Sequence, residues 1–426
     1  ACLANLVLDF SKEREYYRKS YKTLSENDLK TRGGVKLNLF GLWIERSLGL
    51  LENKGILGLI VHKNILKVES YKFLRKYILD NATIREILDL GAKVFENVTG
   101  ETIILVIQNE KSKDNKVLVK TEVDLQKNNY KKSKINQNNF FENTDYTFNI
   151  YDNKFIREIK RKMFENSEKL EDVYDIVSFG LNTSDNKKYF TEDKINDKCH
   201  KAVMGRDVAK WAIKSYGYVL YDNKVLTRKG DVNSFNVDEK LILQRIGSEL
   251  TTAYDDEKLY CYNSTNIILK KKEDFDLKYL MALLNSRLIN YYYVNVFSMK
   301  SSLTVNVTQG YLSQIPIRKI SLEQQKPFIE KALLMVKLNK ELFEKRDKSL
   351  RLLKHEYNLS KTTKKLERFY ESDFNEFIKQ LGINDLSMNK KSELLDFFDK
   401  NKKEVLEINS RIRKTDEEIN NMVYDL

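Results

Sequence analysis

The feature that most restricts this chain is a run without a polar residue, Ile56-Leu57-Gly58-Leu59-Ile60-Val61. A strand this apolar belongs in a sheet covered on both faces, because a face left in water would expose a row of aliphatic side chains. The flanking sequence offers cover. Leu39, Leu42, Trp43, Leu48, Leu50 and Leu51 recur at helical spacing before it, and Gly55 closes that helix. Phe73, Leu74, Tyr77 and Ile78 recur at helical spacing after it. Two more buried-type runs follow, Ile84 to Leu88 and Thr102 to Ile107. Helices alternating with apolar strands predict a parallel or mixed α/β sheet over residues 1–115.

Beyond residue 115 the pattern changes. Residues 116–171 read as a connector dense in Lys and Asn, with strand-like Val117-Leu118-Val119 and a helix from Tyr151 toward Glu171. Residues 172–320 hold short strands between loops, such as Gly217 to Tyr221, Leu241 to Ile246 and Asn266 to Leu269, with a helix from Lys278 to Tyr292. That is α+β grammar. Residues 321–426 are rich in Leu, Lys and Glu and form a helical tail; Pro327 stands near a helix start, where it is tolerated, and Gly382 interrupts a later helix. The expected architecture is therefore α/β, then mixed α+β, then helical.

Hydrophobic residues make up 41% of the chain, enough to build cores. Lys and Arg number 75 against 62 Asp and Glu, a net charge of +13 that suits a polyanionic partner. The same surplus is expected of a Lys- and Asn-rich chain from an AT-rich genome, and both readings stand at this point. No stretch of about 18 apolar residues occurs and no signal peptide opens the chain, so a cytoplasmic protein without a membrane partner is expected. The chain begins at Ala1 in sequence that reads as mid-domain, as a fragment or one piece of a split protein would. Cys2, Cys199 and Cys261 lack Cys-x-x-Cys spacing, and His62, His200 and His355 are scattered, so no metal site is expected.

Absent motifs narrow the chemistry. A methyl-donor or dinucleotide site on an α/β sheet needs a glycine-rich turn after its first strand, and no Gly-x-Gly occurs in this sequence. There is no Walker loop, no His-Glu-x-x-His and no Gly-x-Ser-x-Gly. Glu367, Glu371 and Asp373 read as a solvated helix face rather than a magnesium nuclease. No catalytic residue is assigned.

Several segments carry a family resemblance. Tyr21 to Leu29 with Asn38 to Leu48, then Gly55 to Val61, Leu74 to Leu79, Ile87 to Gly91, Val94-Phe95 and Thr102 to Gln108, resemble in order the late strands and helices of amino-group adenine methyltransferases. Ser178-Phe179-Gly180-Leu181-Asn182-Thr183-Ser184 resembles the opening Gly-x-x-Thr-Gly loop of a Taq-type target-recognition domain, with Ser184 in place of the second glycine. Met204-Gly205-Arg206-Asp207-Val208 resembles that domain's Gly-Arg-Asp-Ile signature; Leu243 to Gly247, Leu283 to Asn290 and Gln314 to Ile317 resemble its later landmarks. Together they resemble the C-terminal part of an adenine-specific methyltransferase or a Type IIG (Eco57-like) restriction–modification enzyme.

The resemblance implies a Rossmann-like methyltransferase sheet at residues 1–115 and a target-recognition domain at residues 172–320. It also implies double-stranded DNA as partner and S-adenosylmethionine as donor for the complete enzyme. The family's Asn-Pro-Pro-aromatic motif and glycine loop are not matched, and no proline precedes Pro316. This chain alone is therefore expected to bind no donor and to be inactive, with a separate N-terminal methyltransferase piece as a further partner. The alternatives are a non-enzymatic specificity subunit or a degenerate pseudo-methyltransferase.

Nine residues are candidate DNA contacts. Asn182, Thr183, Asn186 and Lys187 suit phosphates, with a solvated loop as the alternative. Arg206 and Asp207 make a DNA contact or a structural turn. Arg245 reads a base edge or serves as a structural cation. Lys300 and Ser301 make a basic loop entering a groove, or a hairpin tip. Tyr291-Tyr292-Tyr293 reads as core packing.

Overall fold

The computed structural model describes residues 11–23, 39–92, 94–96, 100–124, 126–300, 305–359, 361–383 and 387–426. It divides into two compact units, residues 1–158 with 294–304, and residues 159–293 with 305–426.

The first unit is built on a five-stranded sheet of β1 (Ile56–His62), β2 (Thr83–Gly91), β3 (Thr102–Gln108), β4 (Lys116–Asp124) and β5 (Asn129–Asn136), in the order β1-β3-β2-β4-β5. β3 runs antiparallel to both β1 and β2, β2 and β4 are parallel, and β4 and β5 form an antiparallel hairpin. Of the two expected forms the mixed sheet is the one found. Residues 116–136, read as connector, complete this sheet. Val117 and Val119 are fully buried in the same core as Ile84, Ile87, Ile103, Leu105 and Ile107. A Lys- and Asn-rich surface on one side hid a strand whose other side is aliphatic.

β1 departs from expectation too. Among the described residues its only neighbour is β3, and Ile56 and Ile60 are 61% and 51% exposed while Val61 is buried. The helix Leu39–Leu50 buries Leu42, Ile44, Glu45 and Leu48 but leaves Leu39, Trp43 and Leu50 exposed. Glu45 is buried because its carboxylate accepts hydrogen bonds from the Thr23 hydroxyl (2.6 Å) and the Lys22 amide (2.9 Å).

Charge is also buried deeper in this unit. Lys63 pairs with Asp89 at 2.6 Å, and the Tyr151 hydroxyl donates to the same carboxylate at 2.6 Å. Lys67 donates to the Ser298 carbonyl at 2.7 Å. Ser298 ends a short helical turn, Val294–Ser298, by which the chain returns to this unit and seats Met299, fully buried, in its core.

A helix, Lys154–Phe164, leads from the first unit into the second and ends well before Glu171. The strands that follow are β6 (Ser167–Lys169), β7 (Tyr174–Ser178), β8 (Asn182–Thr183), β9 (Phe190–Thr191), β10 (Cys199–Val203), β11 (Gly217–Leu220) and β12 (Leu226–Arg228). After them come β13 (Lys240–Gln244), β14 (Ile246–Gly247), β15 (Thr252–Asp255), β16 (Tyr260–Cys261), β17 (Thr265–Lys270), β18 (Val305–Asn306) and β19 (Pro316–Arg318). They make two four-stranded sheets, β16-β10-β11-β9 and β15-β13-β17-β7, with smaller pairs that include β8 with β12. Ile242, Ile267, Ala202, Val219 and Cys261 share the core of both sheets. The long helix expected from Lys278 is two, Leu277–Asn285 and Arg287–Tyr293; Tyr292 and Tyr293 are buried as expected, whereas Tyr291 is exposed.

The helical tail is an antiparallel hairpin. Its arms are Leu322–Glu356, opened by a Ser321/Gln324 capping box, and Met388–Asp425. Lys331 pairs with Glu418 at 2.6 Å, Lys345 with Glu404, and Ser349 with Asn401, so the numbers fall on one arm as they rise on the other. A third helix, Phe374–Leu381, ends at Gly382 with φ of +69°, and its Phe377 packs with Leu353 and Phe398.

Candidate nucleic-acid interface

The sequence-predicted loops of the second unit converge on one turn, Asn263–Ser264, between β16 and β17. The first loop leaves β7 through Phe179, whose φ is +72°, and Gly180. It is tied down by Leu181 N–H to the Cys261 carbonyl (2.8 Å) and Asn263 N–H to the Leu181 carbonyl (3.0 Å). Gly180 has no room for a side chain: a Cβ there would stand 2.2 Å from the Cys261 carbonyl oxygen. Gly205 meets the same turn, donating its N–H to the Ser264 hydroxyl at 2.8 Å, and a Cβ there would lie 2.4 Å from the Ser264 carbonyl oxygen. Both motif glycines are thus required by backbone-to-backbone approach.

Arg245 reaches the turn from the opposite strand. The expected strand Leu241 to Ile246 is broken at Arg245, whose N–H bonds the Ser264 carbonyl (2.9 Å) and whose carbonyl accepts from Val307 N–H (2.7 Å). Its guanidinium donates through Nη1 to the Asn263 side-chain oxygen at 2.9 Å and lies 4.6 Å from the Phe179 ring centroid. Arg228, in register opposite Asn182, donates to the same Asn263 oxygen at 3.2 Å and lies 5.2 Å from the same ring. Burial, and after it the charge of Arg228, lower the Arg245 pKa below the ordinary arginine value.

The remaining candidates take different places. Thr183 is buried with its hydroxyl donating to Asn186 Oδ1 at 2.7 Å, so both side chains shape the loop. Asp185 caps the helical turn after it, accepting from the Lys187 and Lys188 amides at 2.9 and 3.2 Å, and the Lys187 side chain stands in solvent. Asp207 is buried; it accepts from Met204 N–H at 2.8 Å and the Ser215 hydroxyl at 3.1 Å, and lies 3.9 Å from Arg206 Nε. Its carboxylate is committed to the turn. Arg206, with its side chain 72% exposed, lines a cleft of about 1060 Å³ with Lys214, Lys340 and Arg351.

Lys300 is not with them. It belongs to the first unit, φ +49°, with its ammonium 5.2 Å from the Tyr151 ring centroid. The neighbouring Met299 anchors this stretch in the first unit's core. Ser301 lies outside the described residues. Sequence reasoning also missed Phe179, Arg228 and Asn263 as members of the cluster; Phe179 lay inside the quoted motif, and nothing local marked the other two.

No helix among the described residues is long and apolar enough to cross a membrane, and no three potential ligands gather for a metal ion. Cys199 and Cys261 are buried free thiols, and burial pushes the Cys261 thiol up to about 12.

Both units match models of known families. Residues 9–95 match the family model described as Eco57I restriction-modification methylase, and residues 200–317 match the TaqI-like C-terminal specificity domain. The two matches are those of an Eco57I-type restriction–modification methylase and of a TaqI-like specificity domain, the family that the sequence resembles. Residues 321–423 match a domain of unknown function, DUF8810.

Relatives agree. The chain is 27% identical over 191 residues to the type II restriction enzyme and methyltransferase RM.Eco57I of Escherichia coli, covering 43% of this chain and 18% of that protein. It is 25% identical over 315 residues to the adenine-specific methyltransferase BrxX of Escherichia coli O9:H4 (strain HS), covering 67% of this chain and 25% of that one. The matches thus span a quarter or less of these curated relatives. The Type IIL restriction-modification enzyme MmeI, solved in complex with DNA, has a similar fold at a TM-score of 0.51 and 12% identity, over 94% of this chain and 55% of that one.

Proposed function

We propose that residues 172–320 recognise a specific duplex DNA sequence for an adenine-specific, S-adenosylmethionine-dependent methyltransferase of a cytoplasmic restriction–modification system. The observation that carries this reading is the convergence of the Gly180, Gly205 and Arg245 segments on the Asn263–Ser264 turn, which with Gly205 and Arg245 lies inside the stretch that matches a specificity domain. On this reading residues 1–115 are the late part of a Rossmann-like methyltransferase sheet, extended by β4 and β5, and residues 321–426 are a helical support.

Among the described residues the first sheet does not fit a methyl donor. Gly58 lies inside β1 and Gly91 stands alone at the end of β2, so neither builds a loop that could cradle a nucleoside. No chemical step is therefore assigned to this chain. The exposed Ile56, Ile60 and Trp43, and a β1 that pairs only with β3 among the described residues, support a further methyltransferase piece, on the same or a separate chain, as the natural cover. The missing Asn-Pro-Pro-aromatic motif equally supports a non-enzymatic specificity subunit. Reading the coding sequence upstream of Ala1 separates these alternatives.

Binding of the full chain to a fluorescent duplex, titrated against salt, tests DNA recognition. If about five phosphates are neutralised, log affinity falls against log salt with a slope of about −4.5. A flat response overturns the DNA reading.

A further inference from the structure

We propose that Arg228 and Arg245 are a paired guanine reader whose two guanidinium forks are held by the Phe179 ring and by Asn263. The inference rests on the DNA-recognition reading above and deepens it by naming the bases and the residues that read them.

Two like charges share one ring here. The guanidinium carbons of Arg228 and Arg245 lie 5.2 and 4.6 Å from the Phe179 centroid, and neither arginine has an ion-pair partner among the described residues. By contrast, Arg157, Arg287 and Arg346 lie against carboxylates at 2.9, 2.6 and 2.7 Å. Bringing two cations together without an acid opposes folding, and only a neutral amide oxygen and a ring face offset it. A site built this way is completed by electron-rich acceptors from outside the protein.

The hydrogen-bond inventory says which acceptors. Each arginine uses Nη1 on the Asn263 side-chain oxygen, and Arg245 Nη1 also approaches the Asn263 carbonyl at 3.3 Å. A guanidinium has five N–H donors, so Nη2 and Nε of each fork keep donors with no partner among the described residues. Two parallel donors on a rigid plane match the paired O6 and N7 acceptors of guanine in the major groove. A phosphate, being anionic where the guanine edge is neutral, would satisfy the charge, but it does not require a fixed fork. The half-buried Arg245 is fixed by its broken strand, by Asn263 and by Phe179, so the ordering cost of a directional contact is met during folding.

The loop accepts strain to hold this arrangement. Phe179 has φ of +72°, a conformation costly for an aromatic residue, and stays 52% exposed with the two guanidinium carbons 5.2 and 4.6 Å from its ring centroid. Gly180, pinned on the Cys261 carbonyl, fixes where that ring stands. Asn263 is accordingly a positioning residue, touching both forks through one oxygen.

Selection of the full chain on a duplex library with a randomised core tests this. The variants are R228K, R245K and N263A, with thermal melting measured for each. Lysine keeps the charge and removes the fork, so it tests reading rather than folding. The native chain is expected to enrich a motif containing fixed G·C pairs. R228K and R245K should each make a G·C position degenerate, with roughly a 5- to 100-fold loss on the native motif and little change on random duplex. N263A should blur the same positions that the two lysine variants blur. If the variants enrich the unchanged motif with affinity and salt slope close to native, the arginines act only as charges on phosphates and the inference is wrong. If the native chain binds duplex with a steep salt response but enriches no motif, the guanine reading fails while DNA binding stands. No salt-dependent binding at all removes the DNA reading, and this inference with it.

Discussion

The α-carbon of Gly180 lies against the backbone carbonyl of Cys261 so closely that a Cβ would stand 2.2 Å from the oxygen. Backbone cannot yield as a flexible side-chain tip can. Gly180→Ala should therefore displace the 178–184 loop, destabilise the chain by roughly 1–3 kcal/mol and weaken duplex binding. Gly58→Ala, where nothing lies within 4 Å of the added atom, is the control. Urea unfolding beside DNA titration checks both, and a G180A variant as stable as the control contradicts the geometry.

Lys240 and Asp255 form a fully buried pair at 2.6 Å. The carboxylate also accepts from the Glu257 and Leu259 amides at 2.9 and 3.0 Å. Asp255→Asn keeps the shape and leaves a buried ammonium uncompensated, which costs roughly 3–5 kcal/mol. Denaturant unfolding reads the loss directly, and a change under about 1 kcal/mol would show that Lys240 finds water instead.

Burial, and then the charge of Lys63, hold the Lys67 ammonium at about 8, below an ordinary lysine. Between that value and the unfolded value of about 10.4 the unfolded chain binds the extra proton, so stability rises with pH across this window. Below about pH 8 the charged Lys67 carries its full penalty. The native chain should therefore gain stability relative to Lys67→Met from about pH 8 to 10, by at most roughly 3 kcal/mol. Paired unfolding curves across that range measure it. A pH-independent difference would place the Lys67 ammonium in water.

The Lys187 side chain stands in solvent on a turn capped by Asp185. A mobile point charge there suits a phosphate. Lys187→Ala should weaken binding to every duplex alike and reduce the salt slope by about one. Sequence-selective loss in that variant would instead make Lys187 a base reader.

The chain has no Gly-x-Gly and no Asn-Pro-Pro-aromatic motif. By itself it should therefore neither bind S-adenosylmethionine nor transfer a methyl group. Calorimetric titration and tritium transfer to genomic DNA measure the two directly, and turnover by this chain would reverse the expectation.

The features legible in the residues alone are local in origin. Apolar periodicity located β1, β2 and β3 and marked the tail as helical, because each element buries a side of itself wherever it packs. Gly180 and Gly205 stood out in motifs because close backbone approach leaves a mark that a single residue type can carry. Which distant pieces meet was settled by the folded chain. β4 and β5 join the first sheet although one side of them reads as polar connector, and Met299 carries a late loop back into that unit's core. Arg228, Arg245, Phe179 and Asn263 come from four separate segments and become one cluster only through the β8–β12 register and the turn after β16. A side chain's own sequence neighbourhood encodes its burial, but whether two cations share a ring depends on register and loop closure set by the whole fold.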